Sequence, residues 1–359
     1  MNVDGQPCRT IWLAADGVSV QVIDQRRLPH EFATLPLRTL DDAVLAIRDM
    51  AVRGAPLIGA TAAFGVALGL KADPTDAGLR SAVSRLIASR PTAVNLAWAA
   101  RAVATVVEPL APARRFEAAL GEAQRICEDD VACSRDIGAH GAQLLATLAP
   151  ANRPLQVLTH CNAGWLATVD WGTALAPIYR ARQQGMAIHV WVDETRPRNQ
   201  GASLTAWELG QQGVAHTVIA DNAGGHLMRQ GKVDVCIVGA DRVAANGDVC
   251  NKIGTYLKAL AAFDNRIPFY AALPHSTIDW SLPNGDSIQI EERDAGEVHT
   301  IAGLDSRGNL TTVRLTPSGS AAANYAFDVT PARLVSGLIT ERGVAAASPE
   351  GLARLYPSR

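Results

Sequence analysis

Two residues stand where a plain turn residue would serve. Cys161 closes the apolar run PLQVLT in LTHCNAG, and Asp241 closes VDVCIVGA. A thiol that ionises is a base or a nucleophile. A carboxyl held in apolar surroundings keeps its proton to higher pH, because its charged form loses hydration, and can then act as a general acid. Other apolar runs end in the same manner, in Asp193-Glu194, Asp221-Asn222 and Pro274-His275-Ser276. One such Asp is an ordinary turn or cap residue. Five polar run ends together point to a site. Cationic candidates for holding an anion are Arg53-Gly54 at the mouth of a helix, Arg90, and Asn251-Lys252, expected to open the helix after Asp241. His160 and a following helix are expected to favour a Cys161 thiolate. His160 itself is expected on the opposite side of the strand, in a structural role.

Elements that could position these groups follow from periodicity. TIWLAADGVSVQVIDQRRLP alternates and turns at Asp16-Gly17, which predicts a β-hairpin. From Leu40 to about residue 145 the apolar residues recur at helical spacing. The break APANRPL then separates a mainly helical N-terminal domain, 1–150, from a Rossmann-like domain, 151–359. Short apolar runs at 155–159, 187–193, 216–220, 234–240 and 268–273 alternate with helical patterns, which predicts an α/β fold with a doubly wound parallel sheet. In the commonest strand order the first and fourth strands are neighbours where the order reverses, and ligands bind beyond their carboxyl ends. Cys161 and Asp241 would then face each other across one crevice.

Composition narrows the partners. Lys plus Arg is 33 and Asp plus Glu is 35, so no basic excess points to nucleic acid. GAPLIGATAAFGVALGL carries no charge but is short for a membrane span and reads as a buried helix, so no membrane partner is expected. No signal peptide is read, and six cysteines without a CxxC fit reduced thiols in a cytoplasm. No GxGxxG, no P-loop and no metal-ligand spacing is present, so neither a cofactor nor a metal is expected. A small phosphorylated ligand fits better than a dinucleotide.

MAVRGAPLIGATAAFG, SRPTAVNLAW, THCNAG, DETRPRNQGASLTAWEL, DNAGGHLM, VDVCIVGADRVAANGD, NKIGTY and FYAALPHSTID together resemble the methylthioribose-1-phosphate isomerases of methionine salvage. That family shares its fold with the regulatory subunits of initiation factor 2B. The resemblance runs from about Leu28 to Val344. It implies that Cys161 and Asp241 are the catalytic pair and that Arg53, Gly54, Ala55, Arg90, Gln200, Asn251 and Lys252 bind substrate. It also implies a cofactor-free homodimer. Two positions depart from the family pattern: Tyr325 stands where Pro is expected, and Cys250 where a small or hydroxylated residue is expected.

The implied reaction is an aldose–ketose isomerisation. The phosphate occupies the anomeric carbon, so ring opening needs a proton at the ring oxygen, and hydrogen must move from C2 to C1. Asp241 as acid and Cys161 as base would serve, through an enediol-like intermediate. A direct hydride shift with Cys161 only shaping the site is the competing path. 5-Deoxyribose 1-phosphate and ribose 1,5-bisphosphate are alternative substrates, and a nucleotide-binding regulatory subunit is the non-enzymatic alternative.

Overall fold

The computed structural model describes residues 1–90 and 93–357. Pro91 and Thr92 of the SRPTAVNLAW block, and the last two residues of the expected second domain, lie outside them. The predicted hairpin is present as Ile11–Leu13 and Val20–Ile23, and Thr34–Leu37 adds a third antiparallel strand. Five helices follow: Leu40–Arg48, Ala55–Ala72, Asp76–Ser89, Val94–Val107 and Pro112–Leu148. The first is fixed by a capping box, in which Thr39 Oγ1 accepts the Asp42 N–H and the Asp42 carboxylate accepts the Thr39 N–H.

Ala55–Ala72 is apolar on all sides and packs on all sides. It is long and apolar enough to cross a membrane, yet 83% of it is buried within the chain's own core. Its neighbours approach closely because Gly65 and Gly69 lack side chains: a Cβ at Gly65 would lie 2.8 Å from Leu86, and one at Gly69 would lie 2.9 Å from Ala82.

The helix Pro112–Leu148 ends at the predicted break, and the sheet begins at Leu155. All five predicted strands are present, as β1 (Leu155–Thr159), β2 (Ile188–Asp193), β3 (Ala215–Ile219), β4 (Val235–Val238) and β5 (Phe269–Ala272). Two more, β6 (Gly337–Thr340) and β7 (Gly343–Ala345), complete a seven-stranded sheet of order β7-β6-β5-β4-β1-β2-β3. Every pairing is parallel except β6 with β7. The reversal falls between β1 and β4, where Val157 pairs with Val235 and Leu158 with Cys236. This is the position expected from the sequence.

A smaller four-stranded sheet was not anticipated. It joins Ile278–Asp279, Arg242–Ala244, Val249–Lys252 and Phe327–Thr330. It displaces one expectation: Asn251 and Lys252 end a strand, and the helix Thr255–Asp264 starts only after Gly254. Antiparallel pairing of Cys250 with Val329 and of Lys252 with Phe327 holds the segment extended. A hairpin of Thr300–Leu304 and Leu310–Arg314 projects beside it.

Candidate active site

Immediately past β1 the chain turns sharply. Cys161 adopts a left-handed φ of 65°, rare for a side chain of this kind, as do Thr195 and Asn199 in the loop after β2. The turn is held by hydrogen bonds. The Cys161 N–H donates to Thr195 Oγ1 at 2.9 Å, and Thr205 Oγ1 donates to the Cys161 carbonyl at 2.7 Å. The thiol donates to Gln200 Oε1 at 3.1 Å, which places Gln200 beside it. Burial pushes the Cys161 thiol up, while Arg53 and Lys252 pull it back.

The expected support for a thiolate is therefore corrected. Only a single 3-10 turn, Trp165–Ala167, follows Cys161 closely, and the next α-helix begins at Ala176. His160 faces away, with Nδ1 2.8 Å from Asp193 Oδ2 and Nε2 2.8 Å from the Ile253 carbonyl. Both ring nitrogens are engaged, so His160 ties β1 to β2 and to the segment after Lys252, in the structural role expected of it.

Asp241 follows β4, and its N–H donates to the Cys250 carbonyl at 2.9 Å. Burial raises its carboxyl, against the pull of Lys252, Arg53 and Arg90. Asp241 is among the groups that raise the Cys161 thiol, and Arg53 and Lys252 pull on both, so the reversal between β1 and β4 brings thiol and carboxyl into one electrostatic neighbourhood.

Three cations share it. Arg53 is buried, and Asn162 receives both its terminal nitrogens, Nη2 on the carbonyl at 2.8 Å and Nη1 on Oδ1. Arg90, at the end of Asp76–Ser89, pairs with Glu291 at 3.3 Å. The Nε of each arginine is buried and has no acceptor. Lys252 Nζ donates to the Ala326 carbonyl at 2.9 Å and lies 4.6 Å from the Phe327 ring centre. Its neighbour Asn251 is buried and donates to Thr255 Oγ1 at 3.0 Å. Gly54 and Ala55 open the helix Ala55–Ala72, whose first turn has no side-chain cap. Gly54 has φ +88°, and a Cβ there would lie 2.4 Å from the Ala167 carbonyl oxygen, so only glycine fits. Of the nine residues named from the sequence, Cys161, Asp241, Arg53, Arg90 and Lys252 thus share one electrostatic neighbourhood, Gln200 touches the thiol, and Gly54, Ala55 and Asn251 are chain neighbours of Arg53 and Lys252. A cavity of about 290 Å³ adjoins Arg53 and Gln200 and is lined by both apolar and charged groups, among them Leu28, Met50, Leu204, Arg26 and Arg198.

Two features escaped the sequence reading. Glu208 is wholly buried behind the Cys161 loop, accepting from Asn162 Nδ2 at 3.2 Å and from the Leu166 N–H at 3.1 Å. The fold also brings His160, Asp193 and Asp221 together, and separately Cys133, His275 and Glu341, although no spacing suggested a ligand cluster. The first group is already bound by protein: Lys258 Nζ lies 3.1 Å from Asp193, and Asp221 accepts the N–H groups of Thr195 and Arg196. Of the two departures from the family pattern, Cys250 is buried and lends its carbonyl to Asp241, whereas Tyr325 is exposed beside Lys252.

Residues 51–347 match the model of the initiation factor 2 subunit family. Over its full length the chain is 62% identical to a methylthioribose-1-phosphate isomerase of Rhodospirillum rubrum, covering 94% of that protein. The crystal structure of 5-methylthioribose 1-phosphate isomerase from Pyrococcus horikoshii is similar, with TM-score 0.83 and 39% identity over 98% of this chain and 96% of that one. A structure titled as the delta subunit of initiation factor eIF-2B from A. fulgidus is also similar, with TM-score 0.80 and 36% identity over 98% of this chain and all of that one. The chain therefore belongs to the initiation factor 2 subunit family and, within it, to the methylthioribose-1-phosphate isomerases.

Proposed function

We propose that this chain isomerises 5-methylthioribose 1-phosphate to 5-methylthioribulose 1-phosphate, with Cys161 and Asp241 as the catalytic pair. The observation that carries the reading is the meeting of a thiol, a carboxyl and three cations at the strand reversal, with two buried arginine Nε–H groups lacking acceptors. A buried donor without a partner is costly. A phosphate would supply the missing acceptors. Arg53, Arg90 and Lys252 hold that phosphate, with the backbone of Gly54 and Ala55 at the helix mouth. Asn251 and Gln200 hold the sugar.

Asp241, whose carboxyl burial raises, gives its proton to the ring oxygen as the C1–O bond breaks. Cys161 acts in its ionised form, which the positive field of Arg53 and Lys252 favours against burial, and takes the C2 proton to leave a C1–C2 enol. The C2 hydroxyl gives its proton to the Asp241 carboxylate and the Cys161 thiol returns its proton to C1, which completes the ketose and restores both groups. Atoms and charge balance, and no electrons leave the sugar. Residues 1–150 and 151–359 act as two domains with the site on the sheet's crevice side. The enzyme works as a cytoplasmic homodimer on a small phosphorylated sugar, with neither nucleic acid nor membrane as partner.

The test compares kcat/KM on three sugars. The apolar side chains Leu28, Met50 and Leu204, which line the cavity together with polar groups, are the ones a methylthio group at C5 would meet. Its loss should cost about 1–3 kcal/mol in transition-state binding. 5-Deoxyribose 1-phosphate should therefore react more slowly, and ribose 1,5-bisphosphate more slowly still. Equal or faster turnover of the deoxy sugar would reassign the substrate.

A further inference from the structure

Glu208 is a fully buried carboxyl beside the crevice that the proposed chemistry leaves unused. It projects from the helix Ala206–Gln211 into the back of the loop that follows β1. Oε2 accepts the Leu166 N–H at 3.1 Å, and Oε1 accepts from Asn162 Nδ2 at 3.2 Å. Asn162 in turn receives both terminal nitrogens of Arg53. The loop is shaped around this carboxyl: a Cβ at Gly164 would lie 1.3 Å from Glu208 Oε1. One hydrogen-bonded line therefore runs from Glu208 through Asn162 to the guanidinium, whose Nε is left without an acceptor.

We propose that Glu208 is a positioning residue, which through Asn162 aims Arg53 at the substrate phosphate without touching the substrate. The inference rests on the reading of Arg53 as a phosphate ligand. Charge decides how such a residue must behave. The titratable groups facing Glu208 are Arg53 and Tyr179. An ionised carboxylate there would neutralise part of the arginine's charge and weaken its hold on an anion. Burial raises Glu208 to about 8, against the Leu166 N–H, Arg53, Tyr179 and Asn162. At neutral pH the group thus holds its proton, keeps Asn162 in place and leaves the charge of Arg53 to the ligand. A glutamine keeps the neutral charge and an acceptor for one of the two N–H donors. An alanine keeps no acceptor.

The test uses inorganic sulfate, a dianion throughout the range, titrated calorimetrically into the full chain from about pH 6.5 to about pH 9. Four proteins are compared: the parent, Glu208→Gln, Glu208→Ala and Arg53→Ala. Arg53→Ala should weaken sulfate binding at least about tenfold, as loss of a charge-assisted hydrogen bond implies. Glu208→Ala should weaken it by about the same factor, and Glu208→Gln, which keeps one acceptor and no charge, should restore part of that loss. The parent's affinity should fall as pH rises through about 8, more steeply than that of Glu208→Gln. Parent-like binding by Glu208→Ala, or parallel pH profiles for the parent and Glu208→Gln, would overturn the inference. If Glu208→Ala does not fold, the pH comparison alone decides. Parent-like binding by Arg53→Ala would instead refute the phosphate assignment on which the inference stands.

Discussion

Gly54→Ala is a change of one methyl group at the mouth of the site, and its cost can be worked from geometry. Gly54 has φ +88° and ψ 135°, which a residue with a Cβ adopts only under strain. That term is about 1–3 kcal/mol. The added carbon would lie 2.4 Å from the Ala167 carbonyl oxygen, 2.5 Å from its Cα and 2.6 Å from its Cβ. No rotamer relieves the clash, because all three atoms are backbone or fixed to it. Moving the segment apart adds about 1–3 kcal/mol, the usual cost of overpacking. The sum, on the order of 4 kcal/mol, is a large share of a typical folding free energy of about 5–15 kcal/mol. The displaced segment carries Cys161 at one end, and Arg53 directly precedes the substituted residue. Activity should therefore fall along with stability. Urea denaturation followed by tryptophan fluorescence, with Trp165 fully buried next to the contact, reads the first effect, and kcat/KM reads the second. A Gly54→Ala protein with the parent's urea midpoint and the parent's kcat/KM would refute the reasoning.

Arg90→Met, which keeps the apolar stem and removes the charge, should raise KM for the sugar phosphate by about tenfold or more with a smaller change in kcat. An unchanged KM would remove Arg90 from the phosphate site. Stability should fall as pH rises from about 5 to about 8. Burial raises Glu208 from 4.5 to about 8 and Asp130 from 3.8 to about 7, so between those values the folded state keeps protons that the unfolded chain has released. Each unit is worth about 1.4 kcal/mol, which makes the combined loss on the order of several kcal/mol. Urea midpoints at the two ends of that range measure it, and a midpoint that rises with pH would contradict it. Glu208→Gln should flatten the slope.

Much of this arrangement was legible in the sequence, for physical reasons. Buried parallel strands read as uninterrupted apolar runs, so PLQVLT and VDVCIVGA stood out, and strand ends could be read from where the runs stop. The order of the sheet then followed from the commonest doubly wound topology. The reading failed where structure depends on distant partners. The strand Val249–Lys252 pairs with Phe327–Thr330, over seventy residues on, and with Arg242–Ala244 across Asn246-Gly247-Asp248, a local hairpin signal that the helical reading passed over. Asn251 and Lys252 were accordingly placed on a helix. β6 and β7 were missed because GLITERGVA is a short apolar run broken by Glu341 and Arg342. Glu208 was missed because a lone acid in LTAWELG looks like the solvated face of a helix. Only the fold shows that Asn162 and the Leu166 N–H meet it.

The central claim is that Cys161 and Asp241 serve one proton-transfer step on 5-methylthioribose 1-phosphate. Turnover of that sugar by the parent, Cys161→Ser, Asp241→Asn and the double variant tests it most directly. The serine keeps the shape but is a far weaker acid, and the asparagine keeps a donor but cannot release a proton. Each single change should lower kcat by at least about 100-fold, and the double variant should lose little more than either alone. Near-parent turnover by a folded Cys161→Ser protein would contradict the account and leave the hydride shift as the path from C2 to C1.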